Sequence, residues 1–91
     1  MHPALAFDVW IESPDERYQA PLMAAIIVIT KLGMSGAKYI VENLPKPIVE
    51  NQDWDDALAV KRMLEEGYFP PRKQWPRPEG ACCVVSIREA R

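Results

Sequence analysis

The side chains that could perform chemistry are few, and their spacing fits no catalytic or metal-binding pattern. His2 is the only histidine, and no group of Asp, Glu or Cys accompanies it. Asp15 and Glu16 are adjacent acids in a polar segment, where carboxylates are normally solvated. No glycine-rich phosphate loop is present, and no nucleophile has a plausible base. We therefore expect no catalytic residues, no metal site, no cofactor and no enzyme activity.

Two thiols lie next to each other near the C-terminus, at Cys82 and Cys83. On a strand, neighbouring side chains point to opposite faces, so these thiols are poorly placed to form a disulfide with each other. We interpret them as reduced thiols that pack as small hydrophobic side chains.

A proline-rich segment with aromatic and basic side chains occupies residues 68–80 and contains four of the nine prolines. Its aromatic and basic residues are Tyr68, Phe69, Trp75, Arg72, Lys73 and Arg77. Because proline restricts the backbone, we predict a stiff flap ordered against a sheet. Trp75 or Phe69 would then be buried near Trp10 and the Cys82–Val84 side of the last strand. Two alternatives stay open: a protein contact through Arg72, Trp75 and Arg77, and a site for single-stranded nucleic acid, for which three positive charges are few.

Length and charge limit the classes of protein that fit. The 91 residues suffice for one small domain with a limited core. The net charge of −2 argues against a general nucleic-acid binder. No apolar run reaches the ~18 residues that span a bilayer. No basic segment precedes an apolar stretch at the N-terminus, so we predict no signal peptide, no membrane association and a cytoplasmic location.

The first half of the chain predicts a strand and then a helix. Apolar and polar residues alternate over 5–12, which is typical of a half-buried strand. Residues 21–32 are apolar on every side, so periodicity alone leaves helix and strand open. Pro21 suits a first helical turn, and Gly33 can cap the end. On such a helix, Leu22, Met23, Ile26 and Ile29 would face the core, and Ala20, Ala24, Ile27 and Lys31 would face outward.

The second half predicts two amphipathic helices and two strands. Ala37, Ile40, Val41 and Leu44 share one helical face, and Pro45 ends that helix. Residues 46–50 form a short extended piece in which Pro47 permits at most an edge strand. Asp53 then caps a second helix, which ends at Gly67. The apolar run 81–87 closes the fold as a strand covered on more than one side.

A family resemblance appears on this stretch. Residues 33–45 read Gly-Met-Ser-Gly-Ala-Lys-Tyr-Ile-Val-Glu-Asn-Leu-Pro, and they run on to Asp55-Asp56-Ala57 and Lys61-Arg62-Met63-Leu64-Glu65-Glu66. This block resembles the C-terminal domain of the bacterial large-subunit ribosomal stalk protein, of the L-seven/L-twelve type. Its Ala-Lys, Val-Glu and Pro positions are the specific ones. With Phe7-Asp8-Val9 upstream, the resemblance covers most of the chain except residues 68–80. Relative to the family, these residues resemble an insertion before the last strand.

The resemblance implies an α+β fold with the order β-α-α-β-α-β. Three helices would pack on one face of a three-stranded antiparallel sheet. It also implies a helix over residues 21–32. The whole of 1–91 would then be a single domain that carries the insertion loop 68–80.

The resemblance also implies a non-enzymatic role in protein–protein interaction. The family domain docks translation factors onto the ribosome through its first two helices, and its contact positions align with Gln19, Ala20, Met23, Ala24, Ile27 and Lys38. Gln19, Ala24 and Ile27 replace basic residues of the family, and Lys38 keeps its charge. With Lys31 nearby, this face is expected to bind a protein partner, whether a translation factor, the ribosome or another host protein, because exposed apolar patches mark such sites.

Two other functions remain as alternatives. A Clp protease adaptor of the S type shares the general fold, but its Asn-Asp-Asp loop is Ser13-Pro14-Asp15-Glu16 here and its gripping histidine is missing. An RNA-binding module would use the Arg and Trp residues of 68–80.

Overall fold

The computed structural model describes residues 5–72, 74–75, 77 and 79–90; His2 and Lys73 lie outside these ranges. The chain forms β1 (Phe7–Pro14), a short 3-10 turn (Glu16–Tyr18), α1 (Gln19–Thr30), α2 (Met34–Glu42), β2 (Lys46–Gln52), α3 (Trp54–Glu66) and β3 (Cys83–Glu89). The predicted α+β fold with three helices, three strands and the order β-α-α-β-α-β is therefore confirmed.

The strands form one antiparallel sheet in the order β2-β1-β3, with β1 at its centre. Val9 pairs with Val49 on one side and with Ile87 on the other. Trp10, which points to the opposite face, pairs with Pro47 and Ser86. Pro47 lies on an edge strand, as predicted, because proline has no amide hydrogen to donate to a second neighbour.

The core lies between the helices and the sheet face that carries Val9 and Ile11. Both side chains are fully buried, together with Leu22 and Ile26 of α1 and Leu64 of α3. Helix α2 adds its apolar stripe to the same core, as its spacing predicts. The remaining buried members of this cluster are Tyr18, Ala25, Ala37, Ile40, Val41, Ala57, Cys82 and Cys83.

Helix α1 carries no charged residue from Gln19 to Thr30, so packing alone decides which side is buried. Leu22 and Ile26 are buried in the core as predicted, and Met23 and Ile29 also pack against the core but remain half-buried. The predicted cap is wrong. Lys31, with φ 64°, takes the left-handed position and donates its amide to Ile27, whereas Gly33 is extended.

Helices α1 and α2 meet at a sharp corner. The segments Glu16–Thr30 and Met34–Glu42 are bent by 115° relative to each other. Within the described ranges, no single helix is long and apolar enough to cross a membrane, and only this bent pair meets that criterion jointly.

Helix α3 has the capping residues that the sequence predicts. The Asp53 carboxylate accepts a hydrogen bond from the Asp56 amide at 2.8 Å. At the other end, the Gly67 amide donates to the Met63 carbonyl at 2.9 Å, and Gly67 has φ 79°. These local hydrogen bonds fix where α3 begins and where the loop that follows it departs.

The second face of the sheet carries a polar cluster around Trp10. The Arg88 guanidinium carbon lies 4.0 Å from the centre of the Trp10 ring. The Glu12 carboxylate holds Arg88 in place at 2.7 Å and also accepts from the Ser86 hydroxyl. The expected cover for Trp10 was the 68–80 loop, and this prediction is wrong: Arg88 covers the ring instead.

Candidate functional site

An apolar groove runs between α1 and the chain segment that follows α3. It has a volume of about 450 Å³, a size typical of ligand sites. We call it the α1 groove. Its lining residues are Ala20, Met23, Ala24, Ile27, Val28, Met34, Tyr68, Pro70 and Trp75.

The first wall of the α1 groove is the outer side of α1. Leu22 and Ile26 occupy the core side of the helix with no exposed surface. The residues that follow them, Met23 and Ile27, therefore lie at the boundary of the core, where each is half-buried and also packs against the core. Because every residue of α1 between Gln19 and Thr30 is apolar, this boundary is apolar between the two polar ends of the helix.

The second wall is the proline-rich segment, which begins at Gly67. The Tyr68 amide donates to the Pro21 carbonyl at 3.0 Å, and this bond ties the segment to the first turn of α1. Phe69 and Trp75 lie with ring centres 6.5 Å apart, and the Arg77 guanidinium carbon is 4.0 Å from the centre of the Phe69 ring. The segment is thus organised by contacts among its own aromatic and basic side chains.

The position of this segment differs from that of the predicted flap. Trp75 does not lie near Trp10, because it lines the α1 groove on the helical side of the sheet. Phe69 and Cys82 both lie close to Gly67. The segment therefore does cover apolar surface, but the surface belongs to a helix.

Two groups of candidate residues that were predicted separately meet in this groove. Ala20, Met23, Ala24 and Ile27 come from the predicted helical face, and Trp75 comes from the loop. The sequence gives no reason to expect these groups to touch, because Ala20 and Trp75 are far apart along the chain. Their meeting is a product of the fold.

The remaining candidates surround the groove or lie beyond it. Gln19 begins α1 and is exposed, and Lys31 follows the last turn of the same helix. Lys38 is exposed on α2, one turn after the lining residue Met34. Arg72 is exposed near Pro70, and Arg77 rests on Phe69.

Four lining residues were not among the predicted site residues: Val28, Met34, Tyr68 and Pro70. A helical-wheel argument could have found Val28, because it lies four residues after Ala24 and so falls on the same side of α1. Met34 could not be found in this way, because the corner between α1 and α2 brings it to the groove. Tyr68 and Pro70 belong to a segment without periodicity.

The groove is built for burial of apolar groups rather than for catalysis. Its nine described lining residues include no carboxylate, imidazole or thiol. The two thiols lie elsewhere in the core: Cys83 donates to the Leu64 carbonyl at 3.6 Å, and burial raises its pKa to about 12. A thiol with so high a pKa stays protonated at neutral pH and is a poor nucleophile.

A second depression lies at the C-terminal end of β1, around Ser13 and Asp15, with a volume of about 490 Å³. Arg17 pairs with the Asp15 carboxylate at 2.8 Å, and its guanidinium and backbone hydrogen bonds lower the pKa of Asp15. These charged groups satisfy each other locally, so the depression offers little to a ligand.

Comparison with known proteins identifies relatives of this domain. The family described as ribosomal protein L7/L12 C-terminal domain matches residues 7–67. The large ribosomal subunit protein bL12 of Parasynechococcus marenigrum (strain WH8102) is 42% identical over 60 residues, which cover 66% of this chain and 46% of the relative. The bL12 protein of Aquifex aeolicus (strain VF5) is 38% identical over 60 residues, with the same coverage of 66% and 46%.

The matched region has two consequences. The chain spans about half the length of the curated relatives it matches. The family match also ends at Gly67, so α1 and α2 lie inside it and the loop wall of the α1 groove lies outside it. The fold, the order of the elements and the match over 7–67 lead to one conclusion: the chain belongs to the family of ribosomal protein L7/L12 C-terminal domains.

Proposed function

We propose that this domain is a non-enzymatic interaction module that binds a translation factor or the ribosome through the α1 groove and the adjoining surface of α2. In this proposal it acts in the cytoplasm. The contact residues would be Gln19, Ala20, Met23, Ala24, Ile27, Lys31, Lys38, Arg72, Trp75 and Arg77.

The observation that carries the proposal is the apolar groove itself. A soluble domain that keeps Met23, Ile27 and Trp75 partly exposed around one groove has surface to bury against a partner. Full burial of one large apolar side chain contributes ~1.5–3 kcal/mol. A few such contacts would stabilise a complex without many ion pairs.

Family membership supports the choice of partner. The relatives are named as large ribosomal subunit proteins. The matched residues 7–67 include all of α1 and α2, the helices that would meet the partner. The alternative roles as a Clp protease adaptor or an RNA-binding module have no comparable support.

The proposal can be tested with the immobilised domain and bacterial extract, with the captured proteins identified by mass spectrometry. We expect translation factors or ribosomal proteins to be enriched by the wild-type domain and lost with Ile27→Lys. Leu58→Lys is the matched control, because Leu58 is an exposed apolar residue of α3 that does not line the α1 groove. Absence of translation proteins, or equal capture by both variants, would contradict the proposal.

A further inference from the structure

The loop wall of the α1 groove suggests what kind of partner segment the groove accepts. Tyr68, Pro70 and Trp75 lie beyond the family match, which ends at Gly67. Trp75 and the aliphatic residues of α1 line the same slot, which suits apolar side chains better than a flat charged surface would.

Contacts among the described residues of this segment hold the second wall of the slot. The Tyr68 amide is bonded to the Pro21 carbonyl at 3.0 Å, and Phe69, Trp75 and Arg77 support one another at 6.5 Å and 4.0 Å. Because these contacts are made by the domain alone, the described part of the wall would need little further ordering on association. Trp and Arg are also the residues that most often dominate binding energy at interfaces.

Basic side chains lie close in sequence to several residues that line the slot. Lys31 and Lys38 lie one turn beyond Ile27 and Met34, Arg72 lies near Pro70, and Arg77 rests on Phe69. These are four of the 11 Lys and Arg residues of a chain whose net charge is −2. Glu66, which borders Tyr68 on the side of α3, is an acidic residue at the margin of this region. Four basic side chains thus lie within one helical turn or two positions of lining residues, and they offer positive charge to a partner at the margin of the slot.

We propose that the α1 groove accepts one or two large apolar side chains from a short peptide segment of the partner whose neighbouring residues are acidic. The inference rests on the proposed function, because it concerns the same groove and names the chemistry of its occupant. The apolar side chains would enter between Ile27 and Trp75, and the acidic neighbours would meet Lys38 and Arg72. Charge complementarity of this kind favours one partner over others more than it adds affinity.

Three matched peptides of about 15 residues test the inference. The first carries Leu and Phe on one helical face and Glu on the other. The second replaces each Glu with Lys, and the third replaces Leu and Phe with Ala. Binding of each fluorescein-labelled peptide is measured by anisotropy at low and at raised salt. We expect the first peptide to bind at least about tenfold more tightly than the other two, with part of the preference over the Lys peptide lost in salt.

Variants of the domain then assign the binding to the groove. Trp75→Ala and Ile27→Lys should each weaken binding of the first peptide by about tenfold or more. Trp75→Phe should retain most of it, because the ring still fills the loop wall. Lys38→Glu combined with Arg72→Glu should remove the preference for the Glu peptide. Leu58→Lys should bind like the wild type, and circular dichroism checks that each variant is folded.

The outcomes separate this inference from the proposed function. Equal binding of the Glu and Lys peptides, no effect of Trp75→Ala in a folded variant, or binding of a poly(U) RNA in place of the peptides would overturn the inference. If no peptide binds while translation proteins are still captured from extract, the inference fails and the proposed function stands. If the Glu peptide binds as described while no translation protein is captured, the proposed function fails and the peptide site stands.

Discussion

Gly67 lies directly against Pro21, and this contact joins the end of α3 to the first turn of α1. A Cβ atom at Gly67 would lie 2.9 Å from the Pro21 Cβ and 3.0 Å from the Cys82 Sγ. The backbone is also in a region that side chains rarely adopt, with φ 79°. The Tyr68 amide, which follows Gly67, donates to the Pro21 carbonyl at 3.0 Å, and this bond holds the two segments together.

We therefore expect Gly67→Ala to destabilise the domain by at least about 1–3 kcal/mol, through backbone strain and the two close contacts. The free energy of unfolding is measured by urea denaturation followed by circular dichroism. Gly80→Ala is the control, because a Cβ at Gly80 would meet no atom of the described residues within 4 Å. That variant should stay within about 0.5 kcal/mol of the wild type. Similar stabilities for both variants would mean that the contact with Pro21 adjusts freely.

The two sides of α1 should respond differently to the same substitution. Leu22 has no exposed surface, so Leu22→Lys would bury an unpaired charge and should cost more than about 4 kcal/mol, enough to unfold much of the population. Ile27 is half-buried at the edge of the groove, and Ile27→Lys should cost only about 1–2 kcal/mol because its ammonium group can reach water.

Thermal melting of the two purified variants, together with the pull-down described above, checks this difference. We expect Leu22→Lys to lose the cooperative transition and Ile27→Lys to keep it with a lower Tm. If both variants melted alike, Ile27 would belong to the core rather than to a binding surface.

The Glu12 carboxylate should make folding more sensitive to acid. Its hydrogen bonds with Ser86 and Arg88 lower its pKa from the ordinary value of 4.5. A lowered pKa in the folded state stabilises folding above pH 4.5, and this contribution disappears as the pH falls through the folded-state pKa. Glu12→Gln should therefore lower the Tm at pH 7, and the difference from the wild type should shrink below pH 4.5.

Melting curves between neutral and acid pH test this expectation. Glu50→Gln, an exposed change on the edge strand, is the control and should follow the wild type at pH 7. A Glu12→Gln difference that stayed constant across the pH range would show that lost packing, and not the carboxylate charge, is responsible.

The two cysteines should be unreactive until the domain opens. Cys82 and Cys83 are buried, and burial raises the pKa of both thiols, that of Cys83 to about 12. A disulfide-exchange reagent at pH 8 should therefore react slowly with the folded protein and rapidly in denaturant. Val84→Cys adds an exposed thiol on the same strand, since Val84 is 58% exposed, and that one thiol should react at once. Fast reaction of the wild-type thiols would instead indicate local opening around β3.

Several features of this fold are predictable because their signals are local. Asp53 and Gly67 mark the ends of α3 through bonds to residues three or four positions away, and Pro47 marks an edge strand by itself. The end of α1 was less predictable. Gly33 has the lower intrinsic cost in a left-handed conformation, yet Lys31 takes that position because the helix breaks where α2 must turn to meet the core.

The groove itself was only half predictable. The outer side of α1 follows from its position in the helix, so Ala24 and Ile27 could be named from the sequence. The second wall depends on where a proline-rich segment settles, and such a segment has no periodicity that reveals its buried side. Trp10 and Trp75 are both large aromatic residues on opposite sides of the sheet, and only the tertiary structure decides that Arg88 covers one and that α1 meets the other.

The hydrogen bond between the Cys82 amide and the Glu65 carbonyl, 2.7 Å long, brings the two ends of the proline-rich segment together at one point of the scaffold. The segment leaves the helix at Gly67 and returns beside it, so its two attachment points are close together in space. Because its attachment points are close, we expect that the segment can be shortened or exchanged while the strands keep their register. In the proposed function, such a change would alter one wall of the α1 groove and leave the core that carries the groove in place.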